Sequence, residues 1–352
     1  MLLDAASVWS KAWPILFAIL FFGVIILIHE LGHFTVAKLS GIKVNEFAIG
    51  MGPKLLSFGK GETKYSLRLI PMGGYVQMEG EDEASEDERA FNQKPVWKRF
   101  LVVIAGAVMN IILGLVLVAI LLTQQNLIGT TQIAGFHENA SSQSSGLQEG
   151  DVITHINGTS VWSDRDISFL MARDRDGVID FTVKRDGQKT ELKNVKFDTR
   201  EVDGQTVITF DFIIIGENKT FWNVLKTSFL ETASMARLVW LSLFDLVTGR
   251  FGLSDLAGPV GTVSVIAEAT TSGGFLNALS LMAFITINIG VFNLLPIPGL
   301  DGGRLFFLII EGIRRKPINP KREGMIHAIG LVLMFALIAV VTFNDILRLI
   351  RG

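Results

Sequence analysis

Three side chains suited to metal chemistry lie within five consecutive residues of one apolar stretch. His29, Glu30 and His33 belong to the run FFGVIILIHELGHFTVAK, residues 21–38. Residues four apart share one face of an α-helix, so both imidazoles would point the same way. H-E-x-x-H on a helix is the zinc metalloprotease pattern: the histidines bind the metal and the glutamate takes a proton from the activated water. We therefore expect a metal site at this helix.

The surroundings of the pattern favour metal binding over simple packing. A histidine on an apolar helix is more often a hydrogen-bonded packing residue than a ligand. Here, however, every residue from Val24 to Ile28 is apolar, and the apolar run begins near Trp13. Ionisable groups inside a membrane span are costly and mark function. Three of them in five residues indicate a metal site inside a membrane.

The composition agrees with a membrane protein and restricts the ligands. Of the 352 residues, 49% are hydrophobic, and the mean hydropathy is +0.44, which indicates several spans and a polar domain. The net charge of −2 predicts no nucleic-acid partner. Because cysteine is absent, His, Asp and Glu must bind any metal. Lys11 before the first apolar run resembles a signal peptide, but no small-x-small cleavage site precedes His29, so we expect a retained span.

Four apolar stretches are long enough to cross a bilayer. We place the spans at about Trp13–Leu39, Phe100–Thr123, Phe275–Leu295 and Met325–Phe343. In the second, Gly106, Ala107, Asn110 and Gly114 predict a close helix–helix face. Residues 221–247 are ambiguous because four charges are spread along them, which suits an interfacial amphipathic helix better than a fifth span.

The remaining segments are turn-rich or β-patterned. Residues 54–58 and 65–70 predict a hairpin turned at 59–62, and its apolar content predicts that it lies against the membrane. The acidic run 79–88 reads as a solvated linker. Residues 126–215 predict a polar domain with a helix near 164–173 and a strand pair turned at 186–187. We interpret His137, His155 and His327 as structural or interfacial, and 252–274 as a turn-rich loop.

Asp301 is the best candidate for a third ligand, since a catalytic zinc usually has three protein ligands and a water. It follows an apolar span within NLLPIPGLDGGR, residues 293–304, where an acid is costly unless it is paired or binds metal. Pro296 and Pro298 break the helix, and the neighbouring glycines permit a tight turn. Such a turn can fold the carboxylate back toward the bilayer.

Topology tests this pairing independently. The basic residues at 304–324 predict a cytoplasmic segment. With four spans, the first and third both run from outside to inside, so they bring the histidines and Asp301 to the same side. A fifth span at 221–247 would separate them. A shared zinc therefore requires four spans, with both termini and the polar domain outside and the hairpin inside.

These motifs together resemble the site-2 protease family of intramembrane zinc metalloproteases, most closely its bacterial RseP/RasP-like branch. The resemblance rests on H-E-L-G-H at 29–33, N-x-x-P-x-P-x-L-D-G at 293–302, and GLQEGDVITHING at 146–158, which is similar to a circularly permuted bacterial PDZ domain. It covers essentially the whole chain. One departure is the single PDZ-like domain, where some relatives carry two.

The resemblance implies a zinc site and a set of substrate contacts. The Zn²⁺ ligands would be His29, His33 and Asp301, with Glu30 as the catalytic base. The substrate contacts would be two asparagines near the substrate or oxyanion and the glycine-rich end of an edge strand in the hairpin, which are Asn293, Asn288, Gly73, Gly74 and Tyr75.

The predicted fold is a polytopic α-helical membrane protein with four transmembrane helices, a membrane-associated β-hairpin and one extracytoplasmic PDZ-like α+β domain. Its segments are the first span (1–40), the hairpin and acidic linker (41–96), the second span (97–124), the PDZ-like domain (125–216), the amphipathic helix and following loop (217–273), the third span (274–304), a basic cytoplasmic loop (305–323), and the fourth span (324–352).

The predicted function is intramembrane hydrolysis of pre-trimmed single-span membrane proteins, such as anti-sigma factors and signal-peptide remnants. The protein would lie in the bacterial inner membrane, with the zinc site toward the cytoplasm. Its partners would be these substrates and the lipid bilayer; no oligomeric state is predicted. The PDZ-like domain either binds peptides or acts as a steric cap. The alternatives are a non-enzymatic PDZ-bearing scaffold or receptor, and a transporter, which would be expected to show internal repeats.

Overall fold

The computed structural model describes residues 5–59, 61–81, 83, 85–202, 205–249, 258–271 and 274–351. Contacts divide the chain into two compact units, one made of residues 1–117 and 238–352 and the other of residues 118–237. We describe each unit by itself.

Four helices are long and apolar enough to span a membrane, so the expectation of a four-span membrane protein is confirmed at this level. The candidate spans are Ala12–Leu39, Val96–Gln124, Gly274–Phe292 and Lys321–Leu347. They belong to α1 (Ala5–Leu39), α2 (Val96–Gln124), α7 (Gly274–Phe292) and α9 (Pro320–Arg351). The third span ends at Phe292 instead of Leu295, because Pro296 and Pro298 follow and their rings cannot continue the helix.

The spans pack closely where the sequence has small residues, as expected for the second span. A Cβ atom on Gly114 of α2 would lie 2.3 Å from Ile287 Cγ1 of α7. Gly290 of α7 approaches the Ala107 carbonyl oxygen of α2, since a Cβ atom on Gly290 would lie 3.0 Å from that oxygen. Glycine therefore sets the distance between α2 and α7.

The segment after α1 forms two long bent strands, β1 (Val44–Phe58) and β2 (Lys64–Met78), and the hairpin is closed near residue 59 as expected. Residues 46–49 have β2 partners in two places: Ile49 pairs with both Gly74 and Leu67. One edge of residues 44–49 therefore lies against 74–78 and the other against 64–67. Phe47 and Val76 are buried in a cluster with residues of α1 and α2 and with Leu305 and Leu308.

Two predicted loops in this unit are wrong because they are largely helical. Residues 259–271 form α6 (Pro259–Thr271). Its glycines and proline mark a helix start, which is capped by Asp345: the backbone N–H groups of Gly258 and Gly261 donate to this carboxylate at 3.2 and 2.8 Å. Residues 252–257 and 272–273 of the same predicted loop lie outside the described residues.

The second wrong loop is the basic segment 305–323, most of which belongs to α8 (Asp301–Arg314). Leu305 and Leu308 are buried while Arg314 ends the helix. The prediction was based on the basic residues of this segment and did not take account of the helical spacing of its apolar residues. The metal-ligand candidate Asp301 is thus the first residue of a helix.

The second unit is built around one sheet with the strand order β10-β3-β4-β6-β7, and β5 pairs with β4. Its strands are β3 (Ile128–Phe136), β4 (Val152–Ile156), β5 (Thr159–Ser160), β6 (Val178–Arg185), β7 (Gln188–Lys196) and β10 (Phe212–Glu217). β8 (Thr199–Val202) pairs with β9 (Gln205–Ile208), and the helices are α3 (Ser141–Ser144) and α4 (Asp164–Ala172). The expected helix near 164–173 and the strand pair turned at Asp186-Gly187 are both present.

Residues 221–247 form one helix, α5 (Phe221–Val247), which is not among the candidate spans. Of the charged residues near its middle, Glu231 is buried and Arg237 is half-buried, and both pair with residues of α4. Glu231 pairs with Arg165 at 2.8 Å, and Arg237 pairs with Asp166 at 3.0 Å while lying 4.0 Å from the Trp162 ring centroid. Burial raises the pKa of Glu231 to about 6, although Arg165 opposes the shift.

Candidate metal centre

His29, His33 and Asp301 meet although 268 residues separate the last two in sequence. The Nε2 atoms of the histidines are 3.2 Å apart, and Asp301 Oδ2 lies 3.1 Å from His29 Nε2 and 3.2 Å from His33 Nε2. Four ligands at about 2.0–2.1 Å around a tetrahedral zinc are separated by about 3.3 Å. The three donor atoms therefore form a triangle of nearly the size that zinc requires, and they could hold a metal ion.

α2 orients both histidine rings. His33 Nδ1 donates to the Val102 carbonyl oxygen at 2.8 Å, which leaves Nε2 to face the other donors. His29 Nδ1 lies 3.3 Å from the amide of Asn110, which is fully buried. When His29 Nε2 binds a metal, Nδ1 carries the proton, and the amide oxygen of Asn110 can accept it after a 180° rotation of the amide. These contacts select the tautomer that binds metal.

Glycine makes room for the histidines. A Cβ atom on Gly106 would lie 2.4 Å from His33 Nε2 and 2.8 Å from His29 Nε2. On α1, a Cβ atom on Gly32 would lie 2.5 Å from the Ala105 carbonyl oxygen. α1 and α2 thus approach closely enough at the donor atoms that no side chain fits between them.

The loop between α7 and α8 delivers Asp301. It folds so tightly that a Cβ atom on Gly302 would lie 1.9 Å from the Leu295 carbonyl oxygen. His327 of α9 holds this loop from the other side, because the Gly299 N–H donates to His327 Nδ1 at 3.0 Å. Gly299 has φ +98°, a conformation that glycine adopts without strain. His327, expected to be a plain interfacial residue, therefore positions the loop.

Glu30 and one end of β2 line the same cleft as the donor atoms. The cleft has a volume of about 170 Å³ and is lined by His29, His33 and Asp301 together with Glu30, Gly74 and Tyr75. Gly74 lies directly against Glu30, since its Cβ would be 3.1 Å from Glu30 Cγ. The structure therefore brings Glu30, Gly74 and Tyr75 to the same cleft as the three donor atoms.

Three of the expected substrate contacts do not line this cleft. Gly73 lies over Met51, whose Cε would be 2.8 Å from a Cβ there. Asn288 is a half-buried residue of α7, and Asn293 follows α7 with its N–H bonded to the Ile289 carbonyl oxygen at 3.0 Å. Asn110 is an amide side chain that does contact one of the two histidines.

Residues 74–78 form an edge of the β1–β2 pair. Their pairs with β1 include Gly74 with Ile49 and Val76 with Phe47. Across the part of the chain that the structure describes, no strand pairs with their opposite edge. An unpaired edge offers backbone N–H and C=O groups to an added strand.

The Tyr75 side chain is engaged within the hairpin. Its hydroxyl contacts Arg68, whose guanidinium also pairs with Glu46 at 3.0 Å. Although burial acts against it, hydrogen bonds from Ser66, Lys54, Arg68 and Tyr75 lower the pKa of Glu46 to about 2. This network ties the edge residue Tyr75 to Arg68 and Glu46 within the hairpin.

Two further charged residues in the cleft were not foreseen. Arg304 and Glu81 both line it and form an ion pair with each other. Arg304 lies one helical turn after Asp301, so a shared face was readable from the sequence. Glu81 belongs to the acidic run that had been interpreted as a solvated linker. The pair joins α8 to the segment after β2 at the wall of the cleft.

A metal centre with two histidines and an aspartate, a glutamate beside it, and helices long enough to span a bilayer define a membrane metallopeptidase. The model of peptidase family M50 matches residues 17–337. Of the protein's relatives, a Clostridium acetobutylicum protein provisionally named a zinc metalloprotease is 40% identical over 333 residues, covering 94% of this chain and 97% of that protein. The Bacillus subtilis regulator of sigma-W protease RasP is 32% identical over 413 residues, covering 94% and 97%. The Bacillus licheniformis zinc metalloprotease RasP is 33% identical over 421 residues, covering 94% and 98%.

The chain therefore belongs to peptidase family M50, the site-2 protease family, as a member of the RseP/RasP-like kind. It is a zinc metalloendopeptidase and a membrane protein. The three candidate ligands fit a zinc ion. Among the described residues, nothing donates a hydrogen bond to the buried Oδ2 atom of Asp301, and this atom faces two imidazole nitrogens. Imidazole and carboxylate are ordinary zinc ligands.

Proposed function

We propose that this protein hydrolyses a peptide bond within the transmembrane segment of single-span membrane proteins that have already been trimmed outside the membrane. The observation that carries the proposal is the cleft in which three metal donors, Glu30 and an unpaired strand edge meet. Each part serves one requirement of cutting a helix in lipid: activating water, moving its proton, and satisfying an unwound backbone.

We assign His29, His33 and Asp301 as the zinc ligands and Glu30 as the general base. Zinc, when bound, activates water and polarises the scissile carbonyl. Glu30 accepts the proton of the attacking water and passes it to the leaving amine. The position of Glu30 supports this role, because Glu30 is adjacent to His29 and lies against Gly74, where a substrate strand would run. Substrate contacts by Asn288, Asn293 and Gly73 stay predictions.

The edge at residues 74–78 suits a substrate that has lost its helical hydrogen bonds. Lipid offers no partner for free N–H and C=O groups, so an unwound segment needs another strand to bind to. Strand addition at this edge would satisfy those groups and bring the scissile carbonyl past Glu30 and the metal. The RasP relative is named a regulator of sigma-W protease, and membrane-bound anti-sigma factors are the substrate class that we propose here.

We propose that the protein lies in the inner membrane, with the metal centre toward the cytoplasm and the sheet unit outside. The basic residues at 304–324 support this orientation. We interpret residues 125–216 as a PDZ-like domain that either binds peptides or limits substrate size. Because the chain has no cysteine, single variants Lys193→Cys and Lys321→Cys test the topology directly. An impermeant maleimide applied outside should label the first and not the second.

The function is tested by cleavage of single-span proteins in detergent, with and without a zinc chelator. Glu30→Gln should keep zinc and lose cleavage, because an amide cannot accept the proton. His33→Ala should lose both. Cleavage by Glu30→Gln at the wild-type rate would remove Glu30 from the mechanism. A chain that binds no zinc and cleaves none of the substrates would instead support the scaffold or receptor alternative.

A further inference from the structure

A second concave surface lies in the unit that contains the metal centre, between the start of α2 and the end of α8. This groove has a volume of about 850 Å³. Most of its wall is apolar, and the side chains that matter here are Val96, Trp97, Phe100, Leu101, Leu308 and Ile309. Trp97 is 60% exposed and Ile309 is 48% exposed. The groove is therefore open and apolar along most of its length.

One end of the groove is positively charged. Glu311, the acidic residue in its lining, is paired with Arg99 through contacts of 2.5 and 3.1 Å. The chain turns at Arg315, which has φ 53°, and both Arg315 and Lys316 line the groove. No acidic side chain pairs with either of them within the described ranges. Two positive charges thus remain uncompensated beside an apolar surface.

The position of the groove determines what can reach it. α2 is a candidate membrane span from Val96 onward, and Trp97 lies in its first turn, as is typical of tryptophan at a membrane interface. Bilayer lipids therefore contact the groove. A neutral lipid would use only the apolar wall and a soluble anion only the cations, whereas an anionic lipid uses both.

We propose that this groove binds an anionic phospholipid, with an acyl chain along the apolar wall and the phosphate at Arg315 and Lys316. α8 connects this site to the metal centre, because it begins at Asp301 and ends at Arg314. A bound lipid therefore contacts the far end of the helix that carries the third metal donor. The inference does not depend on the proposed proteolysis, since lipid binding is measured without substrate.

Native mass spectrometry of the full chain in detergent tests the proposal, with dioleoylphosphatidylglycerol and dioleoylphosphatidylcholine as probes. Wild type should retain the anionic lipid preferentially. Arg315→Gln with Lys316→Gln should weaken phosphatidylglycerol binding on the order of 25-fold, about fivefold for each cation removed. The matched control, Lys321→Gln with Arg322→Gln, removes two exposed charges that do not line the groove, and should bind as wild type does.

A second variant tests the apolar wall with all charges kept. A Cβ atom on Gly312 would meet only Val96 Cγ1 at 3.7 Å, so Gly312→Leu fills the groove without a backbone clash. It should displace both lipids. Equal retention of the two lipids by wild type, equal losses in both charge variants, or unchanged binding in Gly312→Leu would each overturn the proposal. Displacement of phosphatidylglycerol by an equal concentration of inorganic phosphate would also overturn it, because the site would then bind a free anion. A dimer mass that disappears in Gly312→Leu would overturn it as well, because a second copy of the chain would then occupy the groove.

Discussion

Replacing Gly106 by alanine would place one methyl carbon between the two histidines of the metal centre. The new Cβ would lie 2.4 Å from His33 Nε2, and ordinary contact begins at 3.4 Å, so the ring must move by about 1 Å. His33 cannot simply rotate away, because Nδ1 is bonded to the Val102 carbonyl oxygen on the same helix. Zinc sites tolerate ligand shifts of about 0.2 Å. We therefore expect zinc affinity to fall by at least about 100-fold, the upper end for changes around a zinc ligand.

The assay for Gly106→Ala is zinc content after equilibration with a competing chelator, followed by substrate cleavage. Gly23→Ala on α1 is the matched control, since a Cβ atom there has nothing within 4 Å. Glycine to alanine in a helix otherwise stabilises by about 1 kcal/mol, so helix content should be kept in both variants. If Gly106→Ala bound zinc within twofold of wild type, the packing argument for the centre would be refuted.

Three further changes test the residues around the centre and the sheet unit. Asn110→Ala should weaken zinc binding about 10–100-fold, because His29 loses the partner of its Nδ1; competition with a chelator measures this, and an unchanged affinity would contradict it. His327→Ala should remove the acceptor of the Gly299 N–H. Amides in the loop before α8 should then exchange faster with solvent, and unchanged exchange rates would contradict a positioning role for His327. Folding raises the pKa of Glu231 from 4.5 to about 6, so the folded protein binds this proton more tightly than the unfolded chain does. The free energy of unfolding should therefore fall by about 2 kcal/mol as pH rises from 4.5 through 6. In Glu231→Gln, this pH dependence of stability should disappear. Hydrogen exchange of the α4 and α5 amides, corrected for the intrinsic exchange rates, measures it. If the pH dependence were unchanged in the variant, another titrating group would be its cause.

The sequence predicted the parts of this protein that repeat locally or obey a simple solvent rule. Apolar runs of span length predicted the four membrane helices, since a bilayer core accepts little else. The four-residue spacing of His29 and His33 on one helix predicted two metal ligands. The cost of placing an acid beside a membrane span indicated Asp301 as the third. α6 and α8 were missed because their Gly, Pro and basic residues resemble loop signals, although they mark helix ends.

The residues that shape the centre could not be predicted with the same certainty, because their roles depend on contacts between distant helices. Val102 is 69 residues from His33, and Asn110 is 81 from His29. A buried asparagine in an uncharged span was a visible signal, but its partner was not. The family resemblance implied that Asn293 and Asn288 lie near the substrate, but neither lines the cleft.

The sequence by itself therefore predicted the candidate metal donors, the candidate proton acceptor and the helix that carries His29, Glu30 and His33, because residue type and helical period are local properties. Only the tertiary structure decided that Gly106 leaves space for the rings, that His327 holds the loop before Asp301, and that an open strand edge passes Glu30. Each of these depends on the distance between packed elements, which no single segment encodes.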